Sequence, residues 1–448
     1  MFKKIGAALL SAGIIFSAIS TPVFAEKPDS PGKSNSKGGK KIENVIYLIP
    51  DGFSANYAAN YRVFKGEDAV WDNHLKGMFS TYSANSAITD SAAAGTAMAT
   101  GVKTNNGVIG LDTEGNELTT ILEASEQAGK ASGLVATSTI THATPAVFAS
   151  HVDNRNNQTE IARQYIASDV DVFLGGGKDM FLPKSEGGNQ EELDLIEQAQ
   201  EVGFTLVETQ DELLNTSINL KKGERLLGLF ADDALSPELH RDETTEPSIA
   251  EMTQVAIDTL DKNKKGFFLM VEGSQIDWAG HANDAAWAMT DVEAFEQAVE
   301  VAIDYAKKDK KTLVVVAGDH DTGGMTTGAN GSLKLNANIL QNVTATGEYM
   351  AAQLNEERSN VKDIVEQYTS LNVTDQEIEY IRQATNVELA INKIVSDYAS
   401  VGWTSTNHTG ADIPVYAFGP QSEKFVGFHD NTDLPKIIAN ILKVNLGN

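Results

Sequence analysis

The chain of 448 residues has no cysteine. Disulfides, thiolate nucleophiles and cysteine-ligated zinc are therefore excluded, and any metal is held by oxygen and imidazole. Long apolar runs are also missing. Apart from the N-terminal IGAALLSAGIIFSAIS, no stretch approaches the roughly 20 residues that span a bilayer. Positive charge is scarce: 35 lysines and arginines stand against 62 aspartates and glutamates, a net charge of −27. Such a surface disfavours nucleic acid and anionic membranes, and an anionic substrate would need a strong local positive centre.

What is present at the N-terminus reads as an address. Lys3 and Lys4 precede a short, Ser-containing apolar core, and VFA ends a small-x-small pattern at Ala25. The pattern predicts a signal peptide over residues 1–25 and export outside the cell or to the periplasm. No transmembrane anchor then remains; a retained anchor is the weaker alternative. Cleavage would remove two lysines and no acid, giving −27 − 2 = −29. Residues 26–41, rich in Ser, Gly, Pro and Lys, read as a flexible linker, and 42–448 as the functional domain. With 41% apolar residues, that domain can bury a sizeable core.

Short apolar runs recur between helical patterns: VIYLIPDG (45–52), ASGLVATST (131–139), DVFLGGG (171–177), GFFLMVEGS (266–274), TLVVVAGDHD (312–321) and IPVYAFGP (413–420). Helix-like segments such as Leu118 to Ala128 and Ala285 to Ala306 lie between them. Continuous apolar strands alternating with helices predict an α/β fold with a mostly parallel central sheet flanked by helices. Residues 340–402 have helical periodicity and a capping box at Thr374-x-x-Glu377, which predicts a helical insertion.

Three of these strands end in acids: Asp51, Glu272 and Asp319, the last followed by His320. Ligands of parallel sheets bind outside the carboxyl ends of the strands, and three acids there would repel unless cations sat among them. Caps of following helices would explain one Asp; for three, metal is the better reading. Asp277 and His281 are four apart, so a helix would bring them to one face. His408 lies in a polar Gly/Thr loop before the last strand. Carboxylate with imidazole suits zinc, and all-oxygen surroundings near Glu272 suit magnesium. Ser91, preceding a run of alanines, is expected at a helix N-terminus, where free N–H groups favour phosphate; it reads equally as part of an ordinary cap. No His-Asp pair lies nearby in sequence to act as its base, so a metal would have to activate it. Arg155 either clamps a phosphoryl group or pairs with a surface acid. FLGGGKDMF lacks the GxxxxGK[ST] phosphate-loop pattern and reads as a turn.

Taken in order, PDG, TDSAAAGTAMATG, THATPA, HVDNR, VEGSQIDWAGH, AGDHDTGG and NHTG resemble the alkaline phosphatase family across the chain from about residue 42. The resemblance implies a doubly wound sheet with an insertion near the active site, two Zn²⁺ and one Mg²⁺ per chain, and hydrolysis of phosphate monoesters to alcohol and inorganic phosphate at alkaline pH. It implies Ser91 as the transiently phosphorylated nucleophile and Arg155 as the holder of the phosphate oxygens. Asp277, His281 and His408 would ligate one zinc, and Asp51, Asp319 and His320 the other. Asp51, Thr144 and Glu272 would take magnesium. Family members are commonly homodimers. His142 and Trp278 stand where the best-known bacterial pattern has Asp and Lys, a departure that touches the magnesium surroundings and phosphate affinity. Three metals (+6), four carboxylates (−4) and Arg155 (+1) would leave the site at +3, the positive centre a phosphate dianion needs. Two other readings stand beside this one: a phosphodiesterase or sulfatase-like hydrolase of the same fold, and a non-catalytic secreted metal-binding protein.

Overall fold

The computed structural model describes residues 41–219 and 223–447; the expected signal peptide and nearly all of the linker lie outside the described residues. Ten strands make one sheet: β1 (Asn44–Pro50), β2 (Leu75–Ser80), β3 (Ala131–Thr139), β4 (Val172–Gly176), β5 (Phe204–Val207), β6 (Arg225–Leu229), β7 (Phe267–Gly273), β8 (Thr312–Ala317), β9 (Ile413–Phe418) and β10 (Gly427–Asp430). Their order is β10-β2-β9-β8-β1-β7-β3-β4-β6-β5. Every pair is parallel except those made by β9, which runs antiparallel between β2 and β8. Both faces are covered. In β1, Ile46 and Leu48 enter one apolar core while Val45, Tyr47 and Ile49 enter the other. That double burial is why the central strands read as unbroken apolar runs rather than alternating ones. Each fully buried Val, Ile or Leu there contributes about 1.5–3 kcal/mol against chain entropy.

All six apolar runs are strands, whereas β2, β5, β6 and β10 were not among them. The strand β2 is mostly half-buried, and Leu75 at its start is exposed, so its sequence lacks a long apolar signature. The expected helix over Leu118 to Ala128 is shorter, Ile121–Gln127, because Thr120 and Glu123 form a capping box that sets its start. The helix expected over Ala285 to Ala306 runs on to Asp309, where Lys310 takes a left-handed conformation.

Between β8 and β9 stand five helices, Ala337–Gln341, Gly347–Ala352, Val361–Thr369, Asp375–Gln383 and Val387–Ala399. The Thr374–Glu377 capping box opens the fourth. A short antiparallel pair, Thr326–Thr327 with Val401–Gly402, joins the two ends of this excursion. Among the described residues no helix is long and apolar enough to cross a membrane.

Candidate active site

The carboxyl ends of β1, β7 and β8 lie side by side, because β1 pairs with β7 on one flank and β8 on the other. This register brings Asp51, Glu272 and Asp319 together, all at most 1% exposed. Two glycines permit the packing. A side chain at Gly318 would meet the Phe53 and Pro50 carbonyl oxygens at 2.6 and 2.9 Å. Gly52, at φ +73°, passes so close to the Asp277 backbone that a Cβ would lie 2.8 Å from its Cα.

Each acid has one oxygen anchored and one left over. The Asp319 Oδ1 accepts from the Gly52 and His320 amides at 3.2 and 3.0 Å. The Asp51 Oδ2 accepts from Thr144 Oγ1 at 3.2 Å, and Glu272 Oε2 from Ser138 Oγ at 3.4 Å. The remaining oxygens, Asp319 Oδ2, Asp51 Oδ1 and Glu272 Oε1, are buried without a hydrogen-bond partner. Leaving a buried carboxylate oxygen unpaired is costly unless a cation takes it.

The histidines are oriented in the same manner. His281 Nδ1 lies 2.7 Å from the Thr406 carbonyl and His408 Nδ1 2.8 Å from the Thr89 carbonyl, so in each ring Nδ1 carries the proton. Both Nε2 lone pairs then face one another at 3.2 Å, a contact that needs a cation between them. Asp277 completes a triangle, 3.4 Å from His281 Nε2 and 3.6 Å from His408 Nε2. In a second set, His320 Nε2 is 3.2 Å from Asp319 Oδ2 and 3.6 Å from Asp51 Oδ1. Tetrahedral zinc with bonds of about 2.0–2.1 Å would separate its ligands by about 3.3 Å, so both donor sets fit that ion. His320 also lies within 4.8 Å of the ligand atoms of Asp277 and His408, so the two sets adjoin. His408 reaches this place because His408–Thr409 pairs antiparallel with Asp321–Thr322, directly after His320. The all-oxygen corner of Asp51, Thr144 and Glu272 fits magnesium.

Thr322 is a site residue with no signal in the sequence. Its hydroxyl donates to Asp277 and accepts from His320 Nδ1, which turns the His320 lone pair toward the acids. Thr406 and Thr89 contribute only backbone carbonyls, which no motif can report.

Burial, reinforced by the charge of Asp319, pushes Asp51 well above the usual carboxylate range. Burial pushes Glu272 up to about 8, and burial with the Asp277 charge pushes Asp319 up to about 6. For Asp277 burial also acts upward, but the His281 hydrogen bond and the three nearby histidines outweigh it and hold the carboxyl down. Burial and the neighbouring His408 charge keep His320 neutral, as a ligand must be.

Ser91 is the first residue of the helix Ser91–Thr100, whose ten residues are all buried. Asp90 caps it, its Oδ1 accepting from the Ala93 amide at 2.9 Å. Sequence proximity offers Ser91 no base, and the fold instead sets it beside the second donor set: Ser91 Oγ is 3.1 Å from His320 Nε2, 229 residues away. Arg155 is ion-paired with a partly exposed acid, Asp90, the cap of the Ser91 helix. Its Nη1 donates to Asp90 Oδ2 at 3.0 Å and its Nη2 to His142 Nε2 at 3.2 Å, which places the guanidinium beside the start of the Ser91 helix. Burial, with the Arg155 charge, pushes His142 down to about 3. Trp278 meets the His142 ring edge-on at 5.8 Å.

The family model described as alkaline phosphatase matches residues 42–444. Alkaline phosphatase 4 of Bacillus subtilis is 42% identical, over 99% of this chain and 98% of its own length. The alkaline phosphatase of Escherichia coli is 30% identical, covering 89% of this chain and 86% of its own. Among solved structures, the cold-active alkaline phosphatase of Shewanella sp. superimposes with a TM-score of 0.80 at 34% identity, over 89% of this chain and 99% of that one. The alkaline phosphatase of Thermus thermophilus gives 0.81 at 29% identity, over 92% and 95%.

Proposed function

The chain belongs to the alkaline phosphatase family, and from that premise we propose that it is an exported enzyme hydrolysing phosphate monoesters at alkaline pH through a phosphoserine formed on Ser91. The single observation that carries this reading is the position of the Ser91 hydroxyl, at a buried helix N-terminus and 3.1 Å from His320 Nε2. The proposal keeps the site residues expected from the sequence. Asp277, His281 and His408 would hold one Zn²⁺, and Asp51, Asp319 and His320 the other, with Mg²⁺ on Asp51, Thr144 and Glu272. Their unpartnered oxygens and facing lone pairs support that assignment. A solved variant of the Antarctic bacterium TAB5 enzyme is described as having Mg bound in an M3 site. When bound, the three ions supply Lewis-acid charge stabilisation and lower the pKa of hydroxyl groups in the site.

The chain's own residues do the rest. Ser91 gives up its hydroxyl proton to solvent as Oγ attacks phosphorus; the Oγ–P bond forms, the bond from phosphorus to the alcohol oxygen breaks, and the alcohol takes up a proton from water. Arg155 holds two equatorial phosphate oxygens through the planar fork of its guanidinium, itself oriented by Asp90 and His142. The amides at the start of the Ser91 helix face the phosphate charge. Water then cleaves the phosphoserine from the opposite side, and two in-line displacements give net retention at phosphorus.

Comparing p-nitrophenyl phosphate with its bis-ester, with and without zinc, tests the reading. Zinc-dependent cleavage of the monoester in large excess supports it. Preference for the bis-ester means a phosphodiesterase, and zinc binding without turnover means a non-catalytic metal protein. Export, with cleavage after Ala25, is checked by N-terminal sequencing of the protein outside the cell, and the homodimer by light scattering.

A further inference from the structure

Beside His281 the surface opens into a cavity of about 450 Å³. Its wall includes two indoles, Trp278 and Trp287, and two carboxylates, Glu348 and Glu388. The carboxylates come from the insertion: Glu348 from the helix Gly347–Ala352 and Glu388 from Val387–Ala399. The two helices carry them to a cavity whose other wall is the metal-ligand helix Gln275–His281.

Four observations bear on what the cavity accepts. It adjoins the first donor set, because His281 forms part of its wall. Ser91 contacts His320, whose ring stacks on His408, whose Nε2 faces His281, and His281 borders the cavity. An alcohol leaving the phosphate on the flank of His281 would adjoin this cavity. The wall carries no lysine or arginine. Neither Glu348 nor Glu388 has an ion-pair or side-chain hydrogen-bond partner among the described residues. Burial, and then the negative charges of Glu348 and Asp284, pushes the Glu388 carboxyl up, as expected of an acid lacking a counter-charge. Finally, Trp287 is 6% exposed and its indole N–H has no partner.

Two indoles in the wall, Trp278 and the largely buried Trp287, with two unpaired carboxylates suit an organic cation: aromatic rings attract the charge through their quadrupole, and the acids neutralise it. We infer that this cavity is a leaving-group subsite for alcohols bearing an ammonium group, so that the enzyme favours phosphate esters of amino alcohols over uncharged esters of the same shape. The inference rests on the phosphomonoesterase reading of Ser91. The bland explanation is that Glu348 and Glu388, each in the first turn of a helix, only complement the helix dipole. That role would alter stability and not selectivity.

The test uses the full-length, metal-loaded enzyme with phosphocholine and its uncharged isostere 3,3-dimethylbutyl phosphate. Phosphocholine should be favoured in kcat/KM by about 5- to 30-fold. The double variant Glu348→Gln/Glu388→Gln should lose that preference and keep its rate on p-nitrophenyl phosphate. Choline itself should quench tryptophan fluorescence saturably, and about tenfold more weakly in the double variant. A selectivity ratio near one in the unmodified enzyme overturns the inference, as does a ratio that survives in the double variant. An enzyme inactive on every ester would instead sink the Ser91 reading, and the choline titration would then decide the subsite alone.

Discussion

The imidazole rings of His320 and His408 stack with centroids 3.6 Å apart and planes 24° from parallel, although they serve different donor sets. Two imidazolium ions could not sit so close in a buried site, and burial keeps the His320 ring neutral, with a lone pair to offer. The stack also couples the sets mechanically: a ring lost from one removes the packing surface of the other. His408→Ala is therefore expected to weaken metal binding at both donor sets, which metal analysis after dialysis against graded chelator would reveal as loss of more than one metal ion per chain.

Metal removal should be felt most at high pH. In the metal-free protein Asp319 and Glu272 have folded pKa values raised to about 6 and about 8, above their unfolded values. The folded state therefore binds more protons than the unfolded one between about pH 4 and 8, and the metal-free protein loses stability as pH rises through that window. Bound metal reverses the trend, since its ligands must be deprotonated. At a thousandfold excess over its Kd, one ion adds about 4 kcal/mol. Calorimetry with and without chelator should give a melting-temperature gap wider at pH 9 than at pH 5. A gap independent of pH would refute the clustering of these acids around cations.

Ser91→Ala should abolish the phosphoenzyme that acid quenching traps with labelled phosphate, and lower kcat by about 10³-fold or more. Its zinc content should be unchanged, because Ser91 is in neither donor set. Label retained on the variant would assign the nucleophile elsewhere.

Trp278→Lys should strengthen inhibition by phosphate by about tenfold, since an ammonium replaces an indole beside the His142–Arg155 pair. Tighter product binding should leave kcat unraised where release limits turnover. Steady-state inhibition at alkaline pH with saturating zinc and magnesium decides it, and an unchanged inhibition constant in a folded, metallated variant means that Trp278 does not sense phosphate.

Away from the site, burial pushes Glu126 up to about 7, although the Ser132 hydroxyl donates to it. Its folded pKa exceeds the unfolded one, so it costs stability as pH rises from about 4.5 through about 7. Glu126→Gln keeps an oxygen for Ser132 and should stabilise the protein at pH 9 by about 1–2 kcal/mol, after allowance for partial solvent exposure, and hardly at pH 4. Denaturant melts at the two pH values measure the difference.

Much of the site was legible because its acids sit at the tips of strands whose apolar runs are unmistakable. Asp51, Glu272 and Asp319 could be placed at one edge from sequence alone, and Asp277 and His281 on one helix face. Contacts between distant backbones could not. The hydrogen bond from Ser91 to His320, the carbonyls of Thr406 and Thr89 that fix the tautomers, and Thr322 beneath Asp277 depend on close approach of segments that leave no periodic trace. The strand β2 and its neighbour β10 at the margin of the sheet were missed for a related reason. Leu75 and Phe428 are exposed there, so apolar residues do not mark a buried face.

The antiparallel strand β9 has a consequence for timing. β2 is made early in synthesis, yet both its sheet neighbours, β9 and β10, come from the last 36 residues of the chain, 413–448. Until they arrive, one edge of β8 has no partner and β2 has no sheet to join. His408 arrives with the same late segment. A chain truncated before residue 408 contains the strands β8-β1-β7-β3-β4-β6-β5 but lacks a complete first donor set. Hydrolytic competence is thus tied to chain completion, and no product ending before residue 408 should carry phosphatase activity.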